Sequence, residues 1–394
     1  MVMKHFVCII FLASSLVYPF NFDGPLYPYI FLSEQSCVED NCFDITIVED
    51  HSLQYCIKLL KPFWFWHFDF FHEQEKYGPC FFDSQQQVYE QSVVVAILDT
   101  KISKKDFQGH VACANCFNLN QVGNFNKKTT SIELFLKASQ SQGALRNLLT
   151  PMMKKKTFVD HLIKKNHGAI SMYLIKQIAP HVQIISIPIL NSDAGCSKQE
   201  LLDGLQQALC YKVDILHLGL QVYNMDNATA NDQKIKHILQ QFPYVVAPAG
   251  NNGTMLIGYP AQEKNVISVG ACKKVGQKYL VADFSQASSS NKVDFILPGH
   301  NIIAPLWIEE VQDYILIPTT GTSMSAALMS GVLALILEKN QRALSVDQIM
   351  QLLYKHSIQL DSSWRDTVEY GTPILPLIFQ DIDTFKKKKI RYKK

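Results

Sequence analysis

From Ser92 onward the chain alternates short runs of apolar, β-branched residues with longer stretches in which apolar positions recur every three or four residues. The short runs are Val93–Leu98, Val182–Leu190, Val213–Leu218, Tyr244–Ala249 and Val266–Val269. Each is almost continuously hydrophobic, which suits strands buried on both faces of a parallel sheet. Helical patterns lie between them. Ser197 is followed three residues later by Glu200, a capping box, after which Leu201, Leu202, Leu205, Ala208 and Leu209 share one face. A second helix is predicted from about Asp232 to Gln241. A third runs from near Thr322 through Leu337, with so few polar residues that it has to be buried. Strands alternating with helices in this way predict an α/β fold.

Other stretches break the pattern. Residues 21–91 carry scattered cysteines and the aromatic run from Phe63 to Phe71, and read either as a separate pro-segment or membrane-contacting patch, or as a strand packed on the core. Residues 118–165 are polar, Lys-rich and irregular, as a surface insertion would be. The main domain is therefore expected over 92–360, followed by a C-terminal extension over 361–394 that ends in a basic run from Lys386 to Lys394. At the other end, Lys4 precedes an apolar stretch from Phe6 to Phe20, the order of a secretory signal and short for a membrane span. That predicts a secreted or periplasmic protein, anchored to the membrane through its N-terminus if residues 1–20 are retained.

Composition changes this picture little. With 394 residues, 47% of them hydrophobic and 18% charged, the chain can bury one large core and still leave an accessory segment. Its formal charge of +2 gives no reason to expect a nucleic-acid partner, since basic tails are usually solvated. Of ten cysteines, loss of a signal containing Cys8 would leave an odd number, so at least one is unpaired; disulfides and free thiols both stay open. His110, Cys113 and Cys116 suggest zinc, but they lack a fourth ligand, and a disulfide or plain thiols is the better reading.

Four polar elements fall at the ends of the buried runs, where open α/β sheets place their sites. Asp99 directly follows Val94-Val95-Ala96-Ile97-Leu98 and needs a partner if it is buried, although a strand-end Asp often only caps a turn. His167, in Asn166-His167-Gly168-Ala169, opens an apolar helix ending at Ala179-Pro180. There a carboxylate can hold one ring nitrogen while the other faces a hydroxyl, as a general base requires. In Ala249-Gly250-Asn251-Asn252-Gly253 a strand ends in amides, which reads as a turn or as the donor of a hydrogen bond to an oxyanion. Ser323, in Gly321-Thr322-Ser323-Met324-Ser325-Ala326, starts the apolar helix, as a cap or as a nucleophile in a favourable dipole.

Taken together, these segments resemble the subtilisin-like serine peptidases (subtilases), in the chain order Asp, His, Ser. The resemblance runs from about Val93 to Leu337 and includes Tyr259-Pro260-Ala261, the run Val266 to Ala271, Asp283-Phe284-Ser285 and Pro298-Gly299. It implies a three-layer α/β sandwich with a mostly parallel central sheet. It also implies a serine endopeptidase acting on protein or peptide through an acyl-enzyme on Ser323, with His167 as base, Asp99 orienting it and Asn251 as oxyanion donor. Leu218 and Gly219 align with the family's substrate-binding run, which pairs with an extended peptide. No cofactor is implied for the chemistry and no catalytic metal. Structural calcium, common in the family, has no ligand set that the sequence locates.

The sequence departs from the family pattern at Lys101 (usually Gly), Ala169 (usually Thr), His217 (usually Ser), and Ala327 and Leu328 (usually Pro-His). Lys101, Ala169 and His217 motivate a second reading, an inactive pseudopeptidase that binds peptides or a partner. They also predict altered subsite shape. A lipase-type acyl hydrolase would need Gly-x-Ser-x-Gly, which Gly321-Thr322-Ser323-Met324-Ser325 is not.

Overall fold

The computed structural model describes residues 30–34, 43–47, 93–103, 156–192, 195–222, 229–253, 256–287, 290, 292–308, 313–341 and 343–391. The signal-like residues 1–20, most of 21–91, the zinc candidates and most of the predicted insertion lie outside them. Strands β1 (Ile30–Glu34) and β2 (Phe43–Ile47) form an antiparallel pair.

The remaining strands follow the alternation read from the sequence. They are β3 (Val94–Asp99), β4 (Gln183–Pro188), β5 (Ile215–Leu218), β6 (Tyr244–Pro248) and β7 (Ile267–Val275), then β8 (Lys278–Val281), β9 (Val293–Pro298), β10 (Ile302–Ile308), β11 (Asp313–Thr319), β12 (Ser357–Ile358) and β13 (Val368–Pro373). The described helices are α1 (Lys156–Lys165), α2 (His167–Ile178), α3 (Lys198–Leu209), α4 (Ala230–Leu239), α5 (Thr322–Asn340), α6 (Val346–Lys355) and α7 (Leu375–Arg391). A nine-stranded sheet runs in the order β12-β13-β9-β7-β6-β5-β3-β4, with β8 folded back on β7. From β13 to β4 every pairing is parallel. This is the expected mostly parallel α/β sheet.

Helices cover both faces, and register shows which. Ile97 pairs with His217 and Leu98 with Leu218, so alternation sends these two rows to opposite sides of the sheet. Gly204 of α3 packs against Leu98, while His217 meets Ser330 of α5. The α3 and α5 layers therefore lie on opposite faces, and Asp99 and Gly219, two residues beyond Ile97 and His217, fall on the α5 side. Helix α5 is long and apolar enough to span a membrane, yet almost all of it is enclosed by protein. Gly331 lets it approach α2 closely, since a Cβ there would lie 2.9 Å from the Ile175 carbonyl oxygen.

Several expectations are adjusted. The irregular insertion over 118–165 ends in a regular helix, α1, because Val159, Leu162 and Ile163 recur at helical spacing among the lysines and Leu162 is buried. Helix α4 begins before Asp232: Thr229 is the cap, and Asp232 is its reciprocal partner three residues on. Strand β7 outruns Val269 because its second half pairs with β8. The stretch set apart as a C-terminal extension contributes β13 to the sheet beside β9. Trp364 is fully buried there, its indole N–H donating to the Tyr279 carbonyl at 2.8 Å. Helix α7 adds Leu375, Ile378 and Ile382 to the core.

Candidate active site

Three strands deliver the polar residues to one edge. Strand β3 is sealed on both faces and ends in Asp99, whose side chain is fully buried. A buried carboxylate is costly unless hydrogen bonds replace its water. Here Oδ1 accepts from the Thr100 backbone N–H at 2.7 Å, Oδ2 accepts from Ser171 Oγ at 3.1 Å, and both oxygens lie 2.8 Å from His167 Nδ1. Ser171, absent from the sequence reading, sits one helical turn beyond His167 on α2, and that i, i+4 spacing was its one available signal.

The end of β3 also clamps the start of α2. Gly168 N–H donates to Thr100 Oγ1 at 2.9 Å, and a Cβ on Gly168 would meet the Thr100 carbonyl at 2.4 Å. His167, the first residue of α2, is thereby fixed with its ring 13% exposed. Burial alone would push its pKa down, but the Asp99 charge and hydrogen bond outweigh that and hold it above the ordinary 6.5.

Ser323 is the second residue of α5 and is not its cap; Gly321 takes that position without a side-chain bond. The cap oxygen comes through space from Asn251, whose Oδ1 accepts from Thr322 N–H at 2.7 Å and Thr322 Oγ1 at 2.9 Å. Thr322 Oγ1 in turn accepts from Gly250 N–H at 3.1 Å. With Oδ1 committed to the helix, Asn251 Nδ2 has no partner among the described residues, and neither has the Ser323 hydroxyl. The end of β9 closes the third side. Ser325 Oγ donates to the Leu297 and Pro298 carbonyls, and a Cβ on Gly299 would meet Ser325 Oγ at 2.3 Å. Both α2 and α5 run back along the same face from this edge. His167 and Ser323 each stand eight residues before the close approach of Ile175 to Gly331, which sets them at matching heights, about 12 Å from it at 1.5 Å per residue.

Leu218 ends β5, and Gly219 follows it beside Asp99. The Leu218 side chain is buried on the α3 face, and Gly219 N–H is already bonded to the Leu98 carbonyl at 3.1 Å. What Gly219 supplies is room: a Cβ there would fall 1.8 Å from Asp99 Oδ2. His217 lies inside the fold. It is wholly buried, with Nδ1 3.0 Å from Ser330 Oγ and Nε2 unpartnered. Burial pushes its pKa down to about 4, with Asp99 pulling upward and His167 adding to the depression. Of the other departures, Lys101 is exposed and Ala169 is buried inside α2. Among the described residues no three His, Cys, Asp or Glu side chains gather as metal ligands. Cys196, Cys210 and Cys272 are free thiols.

A stability prediction follows from His217. The unfolded chain protonates this histidine below about pH 6.5, whereas the folded protein holds it neutral until about pH 4. The unfolded state therefore gains stability as pH falls through that window, by about 3 kcal/mol over the 2.5-unit gap. Urea unfolding at pH 7, 5.5 and 4 should show wild type losing this increment relative to His217→Ser, with no further difference below pH 4. Equal pH slopes for the two proteins would refute the assignment.

A nine-stranded, mainly parallel α/β sheet with a His–carboxylate pair, a capped serine helix and a free amide at its carboxyl edge defines a hydrolase-like α/β class. A profile of the Subtilase family matches residues 159–372, more than half of the chain, and the protein belongs to that family. The matched region holds His167, Asn251 and Ser323 and begins after Asp99. Among curated relatives, the "Major intracellular serine protease" of Bacillus subtilis (strain 168) is 29% identical over 198 residues, covering 48% of this chain and 58% of that one. "Subtilisin E" of the same organism is 28% identical over 167 residues, 41% of each chain. The chain thus spans well under two thirds of these relatives. Similar solved structures include "Structural basis of subtilase cytotoxin SubAB assembly" (TM-score 0.55, 16% identity, 81% of this chain and 97% of that one). Another is "Structure of Prenylagaramide maturation protease PagA" (TM-score 0.52, 17% identity, 76% and 96%). At these identities the likeness concerns the fold.

Proposed function

We propose that this chain is a serine endopeptidase. The observation that carries the reading is the fixed imidazole: both Asp99 oxygens hold His167 Nδ1 at 2.8 Å, which makes Nδ1 the donor and leaves Nε2 as the basic nitrogen. In the proposed cycle His167 Nε2 takes the proton of Ser323 Oγ as that oxygen attacks the peptide carbonyl. Asp99 stabilises the imidazolium and stays ionised. The negative carbonyl oxygen accepts from Asn251 Nδ2 and the Ser323 backbone N–H, where the α5 dipole also favours it. His167 then protonates the leaving amine, and a water deprotonated by the same nitrogen hydrolyses the acyl-enzyme on Ser323.

No cofactor enters these steps. Lys101 is exposed while His217 and Ala169 pack inside the fold, which supports the active reading over a pseudopeptidase. The leader-like residues 1–20 support the further proposal of export.

A fluorophosphonate probe tests the reading, because it reacts only with an activated serine. Stoichiometric labelling of the folded protein, lost in Ser323→Ala, is the expected result. Absence of labelling in the folded wild-type chain would overturn it.

A further inference from the structure

Beside Asn251 the chain builds a small recess from three segments. Val222 N–H donates to the Tyr259 carbonyl at 2.8 Å, and Gly258 N–H donates to the Ala249 carbonyl at 2.9 Å. Residues 219–222, 249–251 and 257–259 are thus tied together as three sides of one space. Two of its glycines face each other with no side chain of their own, yet the space between them is filled. A Cβ on Gly258 would lie 1.9 Å from Gln221 Nε2 and 2.3 Å from its Cδ, and one on Gly250 would lie 2.6 Å from Gln221 Oε1. The Gln221 amide therefore crosses the recess from wall to floor. Gln286 closes the same space from the other side: a Cβ on Gly250 would lie 1.8 Å from its Oε1. Gln286 is buried, its backbone N–H donates to the Gly250 carbonyl at 3.1 Å, and its Nε2 donates to the Leu256 carbonyl. Its Oε1 is buried and has no partner among the described residues.

This placement bears on the proposed reaction and rests on it. A carbonyl polarised by Asn251 belongs to the acyl-side residue of the scissile bond. The side chain of that residue leaves one carbon away, next to the 249–251 wall. We infer that Gln221 is the specificity-determining residue of the cleft: its amide fills the recess that would otherwise take a large acyl-side side chain. The space that remains suits glycine, alanine or serine. A leucine or phenylalanine has to displace Gln221 and leave its amide poorly paired.

The test is cleavage of a peptide library varied at the acyl-side residue, read by mass spectrometry, for wild type, Gln221→Asn and Gln221→Ala. Fluorophosphonate labelling of each variant reports folding and an intact nucleophile. Wild type is expected to cleave after Gly, Ala and Ser. In Gln221→Ala, kcat/KM after Leu or Phe, relative to Ala, should rise by at least about 10- to 200-fold, the discrimination that one methylene carries in a hydrophobic pocket. The shorter Gln221→Asn should fall between. Labelled wild type that already prefers Leu or Phe, or a labelled Gln221→Ala with unchanged preferences, overturns the inference and leaves the peptidase reading standing. Loss of labelling in wild type overturns both.

Discussion

Asp99→Asn is expected to lower kcat by about 10⁴-fold while KM stays within a few-fold of wild type. The reason lies in the three hydrogen bonds around the carboxylate. Thr100 N–H, at 2.7 Å from Oδ1, needs an acceptor, so the asparagine oxygen will occupy that side. Its NH₂ group then replaces Oδ2 and faces His167 Nδ1. A donor there favours the tautomer with hydrogen on Nε2, the nitrogen that takes the Ser323 proton in the proposed cycle. The carboxylate also holds the His167 pKa above 6.5. Because the proposed cycle requires neutral imidazole, wild-type kcat should rise with pH through a value above 6.5, and the variant's residual rate should rise at lower pH. Profiles of kcat from pH 5 to 10 measure both effects. A variant within tenfold of wild type would remove Asp99 from the mechanism.

Gly219→Ala is expected to cost about 10²-fold or more in kcat/KM and about 1–3 kcal/mol in stability, although residue 219 performs no chemistry in the proposed cycle. A methyl placed 1.8 Å from Asp99 Oδ2 overlaps it outright. The carboxylate cannot simply swing aside, because Thr100, Ser171 and His167 all hold it on the other side. Either β5 shifts from β3, which breaks the bond from Gly219 N–H to Leu98, or the His167 pair is displaced. A displacement near 1 Å in such a pair costs about two orders of magnitude in rate. Steady-state kinetics and urea unfolding should be compared with Gly195→Ala. The added methyl of that control meets nothing closer than 3.7 Å, and it should behave as wild type. If Gly219→Ala is equally silent, the carboxylate is less tightly held than its hydrogen bonds indicate.

The five strands read from hydrophobic runs and the three helices with explicit boundaries all form, because these features are local. A strand buried on both faces has to be apolar along its length, and a capping box closes within four residues. Where a tertiary partner compensates for polarity, the pattern hides the element. Asp294 interrupts Val293–Pro298, yet β9 forms because Ser268 on β7 donates to that carboxylate from both its backbone and its hydroxyl. Likewise Val368–Pro373 reads as an irregular tail, and the sheet edge left by β9 makes it a strand. Lysines hid α1 in the same way, whereas the Ser345–Gln348 capping box marks the start of α6 locally.

The candidate site divides along the same line. Its residue types and their order were determined by the sequence alone: Asp99, His167, Asn251 and Ser323 stand at strand ends and helix starts, positions that local pattern marks. Tertiary structure decided what each of them touches. It brought Asp99 and His167 together across 68 positions, turned Asn251 Oδ1 onto the α5 start so that Nδ2 is left for another acceptor, and added Ser171. It also reassigned the neighbours. Gly219 makes room for a carboxylate, His217 sits beneath a helix, and Gln221 fills a recess, none of which spacing along the chain can encode. Local sequence sets which backbone conformations and burial patterns are favourable, but the distance between two side chains depends on sheet register and helix crossing, which exist only once the strands have paired.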